Sequence, residues 1–226
     1  GLIYRGTRLV NWDVVTQTVL SDLEVETKEG VDGELFEFAY PVVDANGTPK
    51  GEVVVATTRP ETMLGDTALA VHPDDERYTH LHGCFGKHPF VDRLVPIITD
   101  AVLVDPKFGT GVVKVTPAHD PNDFATGKRH GLPEINIFHL DGRLNAEGGP
   151  FEGLDRFAAR KQVKAKLDEL GLARGSKKHV MTLPVSQRSG AVVEPMISDQ
   201  WFVKMEPLAI PAIDAVESGK IQILPE

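Results

Sequence analysis

The chain has 226 residues, 41% of them hydrophobic and 25% charged, a soluble globular balance with enough apolar content for one large domain or two small ones. A formal net charge of −9 argues against a broad nucleic-acid-binding face, because phosphate contacts need clustered Lys and Arg. No apolar run approaches the ~20 residues of a membrane helix. Cys84 is the only cysteine, so no disulfide staples the fold. The start, Gly1-Leu-Ile-Tyr-Arg5, does not read as a signal peptide, and with the lone cysteine it leads us to expect a cytoplasmic location.

In chain order, residues 7–12 read as a short strand with a turn at Asp13, and Leu35 to Val43 as a second, with Phe36, Phe38 and Tyr40 on one face at period two. Asn46-Gly47 marks a hairpin, and Val53-Val-Val55 is a buried strand. Arg59-Pro60 predicts a helical turn closed by Gly65, and residues 67–72 resume as a strand. Residues 73–90 read as a polar loop, with strands at 93–98, 101–104 and 112–115. A helix from Pro121 to His130 stops at Gly131, followed by a short strand at 135–138. Asp155 to Leu170 is the clearest helix, with Leu154, Phe157, Ala158, Val163, Leu167 and Leu170 near one face and Gly171 at C′. Broken strand-like pieces fill 180–205, a helix is predicted from Pro207 to Glu217, and an extended piece at Ile221–Leu224.

Many short strands with two or three helices predict an α+β fold that is mainly β. The expected form is a curved or closed β-barrel core decorated by helices. The expected core spans about 17–179, and the ends, about 1–16 and 180–226, pair as an extended ribbon.

Polar residues concentrate around one strand-to-helix junction. Lys114, Thr116, His119, Asp120 and Asp123 fall within ten residues, where a rigid scaffold can aim side chains. Asp120-Pro121-Asn122-Asp123 reads as a helix start, with Asp120 as N-cap, Pro121 at N1 and Asp123 at N3. A carboxylate fixed in that first turn is also a natural receptor for an ammonium group. His119 is available as a general base or, with the aspartates, as a metal ligand, but no second His or Cys stands at ligand spacing. His80, His82, Cys84 and His88 form a second metal candidate that reads better as a surface loop. Thr57, Thr58, Arg59 and Thr62 are equally compatible with a capping arrangement, Glu61 following Thr58 by three, and with a wall reading a small hydroxylated ligand. No P-loop, no G-x-S-x-G and no Cys–His pairing suggests nucleotide binding or a covalent nucleophile.

Thr57-Thr-Arg-Pro-Glu-Thr62, Gly109-Thr-Gly111 and Val115-Thr-Pro-Ala-His-Asp-Pro-Asn-Asp123 resemble the inserted editing domain of class I aminoacyl-tRNA synthetases. Val10-Asn-Trp12, Ser21-Asp-Leu-Glu-Val-Glu26, Ser186-Gln-Arg-Ser-Gly190 and Asp199-Gln-Trp-Phe-Val-Lys-Met205 narrow the resemblance to the valyl branch, over essentially the whole chain. The HIGH and KMSKS signatures that bind ATP in the synthetase body are absent from these residues. The resemblance therefore implies an editing segment that cannot activate an amino acid, ATP being used only by a separate catalytic domain.

The implied activity is hydrolysis of threonine wrongly esterified to valine tRNA, with no cofactor and no metal. Its implied partners are the 3′ end of that tRNA and the remaining synthetase domains, the segment itself being a monomer that meets no membrane. By the same resemblance Asp123 holds the substrate ammonium. Lys114 and Thr116 face the side chain and ester, Arg59, Thr58 and Thr62 form the opposite wall, and Asp120 supports it. Asp105 and Phe108 stand near the terminal adenosine, where a ring can stack on a base. Three other readings stay open: a free-standing deacylase, which would need its own tRNA grip, a metal-dependent hydrolase built on His119 and the aspartates, and a non-catalytic β-rich binding module.

Overall fold

The computed structural model describes residues 1–222 and 224. It forms two compact units, Leu9–Ile197 and a terminal one of Gly1–Arg8 with Ser198–Glu226. The larger unit is organised by β3 (Val25–Val43). Phe36, Phe38, Tyr40 and Val42 alternate inward along it and are all buried, which the period-two spacing predicts. On one side it pairs antiparallel with β4 (Pro49–Thr57), setting Phe38 opposite Val55 and Tyr40 opposite Val53. The sheet continues through β6 (Phe85–Lys87), β7 (Leu94–Thr99), β5 (Ala68–Val71) and β8 (Val112–Val115). Every residue of β5 is buried, the composition of a strand covered on both faces, and its pairing with β7 is parallel.

The end strands β4 and β8 approach each other but share no ladder among the described residues. The α+β, mainly β expectation holds in its curved form, with the sheet left open rather than closed as a barrel. Helix α1 (Pro121–His130) follows β8, and α2 (Arg156–Glu169) packs Ala159, Val163 and Leu167 into the core at helical spacing. Burial of Val163 and Leu167 contributes ~1.5–3 kcal/mol each. Phe157 and Leu170, expected on that stripe, are 40% and 50% exposed instead. Phe157 carries the guanidinium groups of Arg156 and Arg160 over its ring at 4.8 and 5.3 Å.

Several local expectations are corrected. Residues 101–104 form a turn, because the Asp100 carboxylate accepts from Val102 N and Leu103 N and bends the chain there. Residues 135–138 make no strand beyond a bridge from Phe138 to Leu144. The 73–90 loop contains β6 and a 3₁₀ turn at Thr79–Leu81. Residues 25–34, for which the sequence suggests no element, are the polar half of β3. They pair with β9 (Ala173–Ser186) as a ribbon solvated enough to lack apolar alternation. Residues 180–186 belong to that ribbon.

A three-stranded sheet has the order β10 (Glu194–Val203), β1 (Ile3–Asp13), β2 (Thr18–Leu20). In the terminal unit the start of β1 and the end of β10 are tied by Arg5 on Asp199 at 2.8 Å and by Lys204 N on Leu2 O at 2.8 Å, the expected ribbon of the two chain ends. Helix α3 (Glu206–Glu217) follows. Of the extended piece expected at 221–224, Ile221 and Gln222 are not in a strand, and Ile223 lies outside the described residues. Among the described residues no helix is long and apolar enough to cross a membrane.

Candidate active site

The junction between β8 and α1 is built by local rules. Asp120 is extended, and its Oδ1 accepts from Asn122 N at 2.8 Å and Asp123 N at 3.1 Å, which caps the helix that Pro121 opens. Gly131, at φ +63°, supplies the left-handed residue that ends it. The cap directs Asp123 back toward the strand, where its Oδ2 accepts from Thr116 N at 2.8 Å. Lys114, 8% exposed, sends Nζ to Thr116 Oγ1 at 2.5 Å and to Asp66 Oδ1 at 2.9 Å.

The opposite wall comes from the end of β4 and the 3₁₀ turn Pro60–Gly65, all of it buried. Thr62 Oγ1 donates to Arg59 O at 2.9 Å, which leaves its lone pairs to accept from a ligand. The Arg59 side chain donates to His119 O at 3.0 Å and to Glu194, and lies 3.5 Å from Glu61. Arg156 also pairs with Glu194, and Arg160 grips Glu61 through two bonds of 2.8 and 2.7 Å. Arg59 thus belongs to a braced five-residue charge network, with the tip of its wall fixed from behind.

Between the walls lies a cavity of about 250 Å³. Thr58, Arg59, Thr62, Lys114, Thr116, His119, Asp120 and Asp123 all line it. Asp105 and Phe108 do not; they sit on the preceding loop, where Phe108 is 67% exposed. That loop is tied down by Arg77 donating to Pro106 O at 2.7 Å and Tyr78 donating to Thr110 O at 2.7 Å. A larger cavity of about 720 Å³ adjoins on the far side of Arg59 and Asp120.

Burial pushes the Asp123 carboxyl up to about 7, against the nearby Lys114 charge, and the Asp120 and Asp66 carboxylates add to the rise. His119 is driven the other way, to about 3, first by burial and then by the Arg59 charge. Ile137 N donates to its Nε2 at 3.0 Å, and Nδ1 meets Pro195 O at 3.2 Å. Both ring nitrogens are therefore engaged with backbone. A neutral imidazole with no free nitrogen is poorly suited to act as a base, and it serves to tie α1's approach to the 135–138 segment.

Asp66, and the bond Tyr40 makes to it, are parts of the site that the sequence did not indicate. Asp66 is fully buried; its Oδ1 also accepts from Thr116 Oγ1 at 2.5 Å and its Oδ2 from Tyr40 OH at 2.8 Å. The available signal was a lone carboxylate inside the apolar run Met63-Leu-Gly-Asp-Thr-Ala-Leu-Ala-Val71, since an aspartate is rarely buried without a partner. Among the described residues no three His, Cys, Asp or Glu side chains converge to hold a metal. His88, from the second metal candidate, is buried with Nε2 on Met63 O at 2.9 Å, and Cys84 is buried and free.

A buried, partly protonated carboxylate facing a lysine and three hydroxyls can hold a small cationic, hydroxylated ligand. Comparison with known proteins gives the family. The family model for class I tRNA synthetases (I, L, M and V) matches residues 1–226. The whole chain is 54% identical, over 227 residues, to a valine–tRNA ligase of Geobacillus stearothermophilus, of which it covers 25%. It is likewise 54% identical to that of Parasynechococcus marenigrum, covering 24%, and 50% identical to the mitochondrial enzyme of Saccharomyces cerevisiae, covering 22%. The chain spans about a quarter of the length of these relatives. It belongs to the class I tRNA synthetases, and every residue of it aligns with a domain-sized segment of their valine–tRNA ligases.

Proposed function

We propose that this segment is an editing domain that hydrolyses threonine mischarged onto valine tRNA. The observation that carries the reading is Asp123, a buried carboxylate with a single backbone donor, opening on a cavity beside Lys114 and Thr116. At about 250 Å³ the cavity is smaller than the ~300–1,000 Å³ that encloses a drug-sized ligand, so it suits an aminoacyl group rather than a nucleotide. Asp123 receives the α-ammonium. Lys114 spends two of its three N–H donors on Asp66 and Thr116, leaving one for the ligand.

Threonine and valine are nearly isosteric, and valyl synthetases are the standard example of an apolar pocket that rejects threonine by only about a hundredfold. A polar pocket inverts the test. The threonine hydroxyl pairs with Lys114, Thr116 or Thr62, whereas a valine methyl leaves such groups unpaired at ~1–3 kcal/mol each. Hydrolysis is attack of a positioned water on an activated ester, driven by orientation and charge rather than by a protein nucleophile. No cofactor enters this chemistry, and ATP is the business of the remaining synthetase domains. Those domains also hold the tRNA body, given the net charge of −9 here, and present its 3′ end so that the terminal adenosine meets Asp105 and Phe108. In this reading residues of about 17–179 are the editing core and the two ends its connector.

Deacylation of threonyl- and valyl-tRNA for valine, by the synthetase carrying this segment, tests the proposal. Threonyl-tRNA should be hydrolysed preferentially, and Asp123→Ala should slow that reaction by roughly a hundredfold, the value of a charge-assisted contact. Equal hydrolysis of both esters, or full activity in Asp123→Ala, would remove it.

A further inference from the structure

Lys114 and Asp123 would be expected to pair with each other, since a lysine beside a carboxylate normally does so. They do not. The lysine's ion-pair partner is Asp66, which follows the 3₁₀ turn, and Asp66 is held in turn by Tyr40 from β3. Arg93 fixes the same stretch of backbone by donating to Leu64 O at 2.9 Å and Asp66 O at 3.1 Å. Asp66 therefore closes a triangle with Lys114 Nζ and Thr116 Oγ1, the sides being 2.9, 2.5 and 2.5 Å. We propose that Asp66 is a positioning residue of this site. It holds Lys114 and Thr116 at fixed places on the cavity wall and takes up the lysine's charge, so that Asp123 stays free for a cation from the ligand.

The inference rests on the editing reading for its ligand, but the triangle itself does not. Charged groups act on Asp123 from three elements: Lys114 on β8, Asp120 at the cap of α1, and Asp66 beyond the 3₁₀ turn. Of these, Lys114 favours the ionised Asp123 while Asp120 and Asp66 oppose it. Burial, the largest cause, together with these charges leaves Asp123 titrating near neutrality, at about 7. A site so poised binds an ammonium ester as Asp123 loses its proton. The acid limb of the rate profile should then follow Asp123, and the alkaline limb the substrate's own ammonium.

The signs differ between variants, which separates charge positioning from mere support of the fold. Asp66→Asn keeps the shape but removes an anion, so Asp123 should titrate about one pH unit lower. Lys114→Met removes the cation and should move it up by a similar amount, about one unit. In the double variant the two changes oppose, and the midpoint should return close to wild type. A buried pair replaced on both sides also tolerates folding better than one broken on one side.

The midpoint is read twice: on the Asp123 carboxyl carbon by NMR titration of the chain, and on the acid limb of threonyl-tRNA deacylation by the synthetase. Opposite displacements in the single variants, cancelling in the double, support the inference. If Asp66→Asn does not fold, a double variant that titrates well below Lys114→Met supports it equally. Coincidence of the double variant with Lys114→Met, or an unmoved Asp66→Asn, overturns it. The NMR midpoints hold their meaning even if the wild type fails to deacylate threonyl-tRNA, a failure that would count against the editing reading alone.

Discussion

Two buried aspartates stand at opposite ends of helix α1, and their chemistry is opposite. Asp123, in the first turn, is 7% exposed, and Asp100, beside the last turn, is 5% exposed. The helix dipole alone would favour an ionised carboxylate at Asp123's end and oppose one at the other. The reverse is found. Burial works to raise Asp100 as well, yet the donors around it bring it down to about 2. They are Arg129 through two nitrogens, His130, and the backbone N–H of Val102 and Leu103. Asp123 accepts from one backbone N–H, and the lysine that might pair with it is bound to Asp66. Direct donors outweigh burial and the dipole at Asp100, and burial outweighs the dipole at Asp123. A carboxylate supplied with five donors is a fastener; one left with a single donor keeps lone pairs open to a ligand.

The largest expected effect that sharpens this contrast is on stability rather than rate. Asp123 rises from 3.8 to about 7 on folding, so the folded chain keeps a proton that the unfolded chain loses between those values. Stability should therefore fall as pH rises from about 4 to about 7, by at most ~4 kcal/mol from this group. Asp123→Asn should remove that cost, giving a chain more stable than wild type at pH 8 and equal to it near pH 4 by urea denaturation. A variant that is less stable at pH 8 would break the comparison.

Asp100 should behave in the opposite sense with a smaller magnitude. Its folded value lies below the unfolded one, so its contribution is present above pH ~4 and is lost as pH falls toward about 2. Asp100→Asn should cost ~1–3 kcal/mol at pH 7, with deacylation by the folded protein unchanged. A fall in deacylation without loss of the fold would show that the two ends of α1 are not divided as described.

What could be read in advance follows the range of the physics. The α1 cap, with Asp120, Pro121 and Gly131, depends on neighbours within four residues, and the helix appears as spacing predicts, Pro121–His130. Val112–Val115 and the inward face of Phe36, Phe38 and Tyr40 were equally legible, because burial imprints a period. The polar half of β3 was not, since a two-stranded ribbon leaves both faces wet and writes no such period. In the site, residues clustered in sequence were found as a cluster. Asp66 meets Lys114 across 48 positions and Tyr40 across 26, and nothing local announces either partner. His119 shows the complementary failure. Its residue type suggested a base, while the backbone groups that occupy both ring nitrogens come from residues 137 and 195.

In the proposed function Asp123 is the receptor for the ammonium of a threonyl ester. A crystal structure of the chain with a non-hydrolysable threonyl-adenosine analogue tests it most directly. The α-ammonium is expected within ~2.7–3.0 Å of the Asp123 carboxylate, the threonine hydroxyl on Lys114, Thr116 or Thr62, and the adenine toward Phe108. An ammonium bound elsewhere, with Asp123 still holding only Thr116 N, would contradict it.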